Sequence, residues 1–215
     1  MDKEQKETCR AAALALLPVA VVWTVFAVDH VFNLELLRYG LVPLDVSRLY
    51  GTCTIPFLHS GLDHLISNTP PLFLLVFGLF LFYDRKAWQI LLNLYLISGL
   101  VTWCMGRRES IHVGASGLVY ALAAFHFLSG LVRKVPRQMA FSLLVAFLYG
   151  GFVWAFFPAL YINTPISWEG HLSGLLTGIA LTFHYRRYGP PMPPDPFLDE
   201  EEDCSDDRME EEGRE

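Results

Sequence analysis

The stretch that decides the fold begins at Leu65. It reads Leu65-Ile-Ser-Asn-Thr-Pro-Pro-Leu-Phe-Leu-Leu-Val-Phe-Gly-Leu-Phe-Leu-Phe-Tyr83, then Asp84-Arg85-Lys86, then Ala87-Trp-Gln-Ile-Leu-Leu-Asn-Leu-Tyr-Leu-Ile-Ser-Gly-Leu-Val-Thr-Trp-Cys-Met105. Two apolar runs of 19 residues stand back to back with a charged triplet between them. A helix needs roughly 17–25 apolar residues to cross the hydrocarbon layer, so each run is long enough to span. Working outward, four more stretches read the same way: Ala11 to about Val31, Ala115 to Val132, Met139 to about Leu160, and His171 to Tyr185. The expectation is an all-α membrane protein, a bundle of six transmembrane helices with a long first outer loop. The second and sixth spans are short or begin with polar residues, so those ends must lie inside protein or face water.

Composition agrees. The 215-residue chain is 53% hydrophobic and 18% charged, where soluble domains run nearer 45–50% and about 25%. The net charge of −6 divides unevenly: Gly189–Glu215 carries −10 and the rest +4. A nucleic-acid-binding domain would need a clustered basic face. Cys9, Cys53, Cys104 and Cys204 are too widely spaced for a disulfide scaffold, though Cys53 and Cys104 fall on one side of the membrane and leave pairing open.

Three parts are expected: a cytosolic N-terminus over residues 1–10, the six-span body over 11–188, and an acidic, disordered cytosolic tail over 189–215. The first span follows Lys3, Lys6 and Arg10 but no small-residue cleavage site follows it, so it reads as retained. Ten Lys and Arg residues sit in the N-terminus and alternate loops, against Arg38, Arg48, Arg107 and Arg108 on the other side. The positive-inside rule then puts both termini in the cytoplasm. A bacterial plasma membrane is the expected location.

With six spans, the second, fourth and sixth all begin at the outer surface. The first outer loop, Asn33 to Asp63, is long for a plain connection. A short interfacial helix is expected over Leu41–Leu49. The loop leads to His59, His64 and Asn68; the last two are four apart and share a helix face. The fourth span opens with Gly114-Ala-Ser116-Gly117, and the sixth with His171-Leu-Ser-Gly174-Leu-Leu-Thr-Gly178. Alternation alone therefore brings His64, Asn68, Ser116 and His171 to one shallow depth.

That convergence suits nucleophilic chemistry. A serine hydroxyl becomes an effective nucleophile when a base within hydrogen-bond reach takes its proton, and neutral histidine suits that task near pH 7. An oxyanion needs aimed donors, and the loss of one costs about 10²–10³ in rate. The Ser116 backbone N–H at a helix start, the Asn68 amide and the His64 imidazole are candidates. Gly114 and Gly117 permit a tight turn and close approach. Gly174 and Gly178 offer a small-xxx-small packing face toward the fourth span, and Tyr120, one turn below Ser116, is placed to stack on an imidazole. Taken singly, each residue has a plainer reading: Ser116 as a packing serine, His171 as an interfacial histidine, Asn68 as a helix crosslink. A zinc site of His59, His64 and His171 is a further alternative. Glu169, two residues before His171, has two readings, an orienting acid and the plainer one of a loop charge at the membrane surface, and His30, His112, His126 and His184 read as structural.

Taken together, the six-span body, His59-xxxx-His64-xxx-Asn68, Gly114-x-Ser116-Gly117 and His171-xx-Gly174-xxx-Gly178 resemble the rhomboid family of intramembrane serine proteases. The resemblance implies a Ser116–His171 dyad with no acidic third member. It implies oxyanion stabilisation by His64, Asn68 and the Ser116 N–H, Tyr120 stacked on the histidine, and a cavity open to the outer side. It also implies no metal or other cofactor and no nucleic-acid partner. Substrates would be membrane proteins, usually single-pass, that enter from the bilayer near spans 2 and 5 and are cut in or near their transmembrane segment. Many members carry a Trp-Arg pair in the first loop, where this chain reads Ser47-Arg48-Leu49-Tyr50. The rival reading is a rhomboid-like protein that binds membrane clients without cutting them; a transporter is a more distant one.

Overall fold

The computed structural model describes residues 2–108, 110–151 and 167–191. The described part is helical, with only the isolated bridge between Leu41 and His112 as extended pairing. Its helices are α1 (Lys3–Phe32), the single turn α2 (Gly51–Thr54), α3 (Leu62–Tyr83), α4 (Ala87–Met105), α5 (Ser116–Arg133), α6 (Pro136–Tyr149) and α7 (Trp168–Tyr185). Three stretches are long and apolar enough to cross a membrane: Lys3–Phe32, the 44-residue run Leu62–Met105, and Ser116–Arg133. The 22 residues of α3 extend about 33 Å at 1.5 Å per residue. The latter half of the expected fifth span and all but the start of the acidic tail lie outside the described residues.

The turn after α3 is made at Asp84, whose φ of 41° takes the chain out of the helix. The tip of α3 then meets the start of α4 through Phe80 and Trp88, with ring centroids 4.9 Å apart. The far end of α4 returns to the first loop: Trp103 donates to the Asp45 carbonyl at 3.1 Å, and the Tyr95 hydroxyl bonds the Cys53 carbonyl. Since α3 starts where that loop ends, α3 and α4 run antiparallel. At α5, Lys134 in the left-handed region ends the helix, and Pro136 opens α6 where its missing N–H costs nothing.

α5 is the central element, packed against α3, α4, α6 and α7. Val119, Ala121, Leu122 and Phe125 of α5 are buried with Leu72, Leu75, Val76 and Leu79 of α3 and Ile90 and Leu94 of α4. On the outside, Leu16, Leu92 and Leu143 lie exposed, and Phe147 of α6 is 86% exposed. This surface suits hydrocarbon rather than water. α7 packs on α5 nearly main chain to main chain. A Cβ built on Gly174 would strike the Gly117 carbonyl, and one on Gly178 would strike the Ala121 carbonyl.

Two ends of the bundle follow. α3, α5 and α7 all start at one, beside the first loop and the α4–α5 loop. At the other, Arg10 pairs with Asp84, Arg137 pairs with Glu4 at 3.0 Å, and Arg133 bonds the carbonyls of Arg186, Tyr188 and Pro190. The first described residues and the last therefore leave from the same end.

The first loop corrects one expectation. No α-helix covers Leu41–Leu49; the 3-10 turns Leu36–Tyr39 and Val46–Arg48 flank the bridge residue Leu41 and a turn at Pro43 and Leu44. Leu41 is paired with His112, the residue before Pro43 is disfavoured from helical geometry, and Leu44 sits at φ 60°.

Candidate active site

Ser116 is the first residue of α5, so its N–H is among those without an intrahelical acceptor. His171 stands in the opening turn of α7, three residues past its first, Trp168. The glycine seam between the helices brings His171 Nε2 to 3.1 Å from Ser116 Oγ, hydrogen-bond distance. The Tyr120 ring lies on the imidazole, centroids 4.2 Å apart and planes within 14°. His171 is 8% exposed, and its Nδ1 meets no acceptor among the described residues.

His64 approaches from α3. Its ring passes so close over Gly114, which has φ +112°, that a Cβ there would lie 2.6 Å from Nε2. A side chain at Gly114 is thus excluded twice, by conformation and by contact. His64 Nδ1 lies 3.2 Å from the Ser60 hydroxyl. Asn68 Nδ2 donates to the His64 carbonyl at 2.8 Å, which leaves one amide hydrogen uncommitted by that bond. Ser60, His64, Asn68, Ser116, Tyr120 and His171, with His112, line one cavity of about 780 Å³.

A family profile of the rhomboid domain matches residues 46–188, two-thirds of the chain. The chain belongs to the rhomboid family. An uncharacterized protein of Mycobacterium tuberculosis is 33% identical over 171 residues, 77% of this chain and 71% of that one. An uncharacterized protein of Mycobacterium leprae is 29% identical over 170 residues, covering 77% and 67%. Rhomboid-like protein 11, chloroplastic, of Arabidopsis thaliana is 26% identical over 181 residues, covering 74% and 60%.

The remaining candidates fall into place around this rhomboid's cavity. His59 packs edge-on against His64, centroids 5.1 Å apart. Burial, with His64 beside it, pushes the His59 imidazole down to about 4, and neither ring nitrogen meets a partner among the described residues. Gly117 faces the Gly170 carbonyl, 3.2 Å from where its Cβ would stand, and Gly174 and Gly178 continue the seam. Among the described residues no group of three or more His, Cys, Asp or Glu is arranged to hold a metal ion, so His59, His64 and His171 do not form the alternative zinc set. Cys53 and Cys104 are free and exposed.

Two residues read as bland in the sequence are not bland. Glu169 is not a surface loop charge: it lies in the first turn of α7, 2% exposed, and pairs with Arg107. His112 lines the cavity and is held down in basicity by burial; its Nδ1 bonds Ser167 Oγ and its Nε2 bonds Ser110 Oγ at 2.8 Å. Ser167 in turn caps α7 by accepting the Gly170 N–H at 3.1 Å. Ser-x-x-Gly at 167–170 carried the cap signal in the sequence; the partner at His112, 55 residues away, carried none.

Proposed function

We propose that this chain is an intramembrane serine endopeptidase that crosses the bilayer six times and cuts membrane-protein substrates, usually single-pass, in or near their transmembrane segments. The carrying observation is the 3.1 Å approach of His171 Nε2 to Ser116 Oγ inside the cavity. His171 takes the Ser116 proton as Oγ attacks the scissile carbonyl carbon, and the C–N bond breaks as the imidazolium returns that proton to the departing amine. A water molecule, deprotonated by the same imidazole, then releases the acyl group from Ser116. The Ser116 N–H, the free Asn68 hydrogen and His64 Nε2–H receive the oxyanion. A His64 Nδ1 that accepts the Ser60 hydroxyl is the tautomer that leaves Nε2–H to donate.

Both termini are proposed to lie in the cytoplasm, with the cavity open to the opposite face of a bacterial plasma membrane. The basic residues clustered at the far end of the bundle support this. Purified protein in mild detergent, treated with a fluorophosphonate, tests the reading. Label on wild type that disappears in Ser116→Ala and His171→Ala is the expected result. Equal labelling of all three would remove the dyad, and an unlabelled but folded wild type would favour client binding without cleavage.

A further inference from the structure

The imidazole of His171 is weakly tethered for a general base. Nε2 faces Ser116, Nδ1 meets no acceptor among the described residues, and the Tyr120 stack resists tilting more than sliding within the ring plane. The position of Nε2 is therefore inherited from the backbone of α7. Along the seam with α5, the α7 backbone at Gly174 and Gly178 meets the Gly117 and Ala121 carbonyls and the β-carbons of Tyr120 and Ala124. Small residues bring helices close, and the side-chain hydrogen bonds that tie α7 to its neighbours, Thr182 Oγ1 to the Phe125 carbonyl at 3.3 Å and Asn93 Nδ2 to the Tyr185 hydroxyl at 2.7 Å, lie toward the far end of α7, away from His171.

The directional contacts nearest His171 lie just upstream of it. The Glu169 carboxylate receives Arg107 Nε, and Ser167 Oγ bonds His112. Both partners belong to the α4–α5 segment. That segment is itself fixed, because the His112 main chain exchanges two hydrogen bonds with Leu41 of the first loop, at 2.8 and 3.0 Å. Glu169 is the buried member of its pair at 2% exposed, while Arg107 is 60% exposed. A buried charge persists only where it is paired, and a carboxylate in a helix's first turn is further favoured by the helix dipole.

We propose that Glu169 is a positioning residue for His171. Held by Arg107, it fixes the first turn of α7 and thereby the His171–Ser116 distance. An acid bonded directly to the imidazole performs this task in three-residue arrangements; here it acts through two residues of backbone. The inference rests on the Ser116–His171 reading and extends it.

The full chain in liposomes, as wild type, Arg107→Gln, Glu169→Gln and the double variant, tests it. Three quantities are measured: the rate of fluorophosphonate labelling, kcat and KM on a synthetic transmembrane peptide, and hydrogen exchange across residues 168–176. A misplacement near 1 Å costs about 10²-fold, so each single variant should lose roughly that in kcat and labelling, with KM changed by less than about threefold. The double variant should lose no more than either single one, and exchange should quicken in 168–176 while the α5 core stays protected. Full kcat per folded molecule, or losses that multiply in the double variant, would overturn the proposal, because a merely structural pair lowers yield without touching turnover. If wild type and Ser116→Ala label alike, the dyad reading fails instead, and exchange across 168–176 still decides the anchor.

Discussion

At the end of the bundle away from the cavity, the buried Arg133 guanidinium donates to Gln138 at 3.0 Å and to the carbonyls of Arg186, Tyr188 and Pro190, while Gln138 reaches the Tyr83 hydroxyl. At the cavity end, His59 Nδ1 and Nε2, His171 Nδ1 and Glu169 Oε2 are buried without a partner among the described residues. An unpaired buried polar atom costs about 1–3 kcal/mol. All four such atoms lie toward the cavity end, two in the first turn of α7 and two on His59 just before α3, and among the described residues none lies at the far end. One end of the molecule has its buried polar groups paired, and the other keeps some unpaired, as functional sites often do.

That division breaks if activity and stability do not separate. Ser116→Ala and His171→Ala should each reduce cleavage to background while thermal unfolding stays within a few degrees of wild type, measured side by side in one detergent. Arg133→Ala should do the reverse. Removing charged donors from buried carbonyls should lower stability by about 2–4 kcal/mol, yet the folded fraction should cleave at the wild-type rate. A large fall in kcat for Arg133→Ala would show that the two ends are coupled.

A smaller effect sharpens the contrast. His59→Leu removes two unsatisfied buried nitrogens and should stabilise the protein by about 1 kcal/mol. The His59 imidazole, lowered by burial to about 4, stays neutral in the folded state while the unfolded chain protonates near the ordinary value of about 6.5. Between those limits the unfolded state binds more protons, so wild type loses stability as pH falls through that window. The Leu variant should show a shallower loss, read from melting temperature against pH. The smallest effect expected is from deleting residues 192–215, which follow the far end. Cleavage in detergent should be unchanged.

Much of the fold is legible because it is written in long apolar runs. The charged triplet Asp84-Arg85-Lys86 marks the turn between α3 and α4, and alternation of spans brings His64, Ser116 and His171 to one end. What escaped notice depends on single long-range contacts. Glu169 looks like a loop charge because nothing local announces Arg107, 62 residues before it. His112 looks structural because its partner Ser167 lies 55 residues further on. The Leu41–Leu49 segment suggests a helix by composition, but Pro43 and the pairing of Leu41 with His112 hold it open.

The seam between α5 and α7 has a consequence for how this sequence can change over time. Where two side chains meet, a larger residue on one helix is often answered by a smaller one on the other. At Gly174 and Gly178 the first atoms met are the Gly117 and Ala121 carbonyl oxygens, ahead of the Tyr120 and Ala124 β-carbons, and no codon alters a carbonyl. No second mutation on α5 can restore what a bulkier residue there would take away. Divergence in this lineage should therefore run freely over the exposed apolar surface around Leu143 and Phe147, while this short strip stays frozen for as long as the two helices must meet.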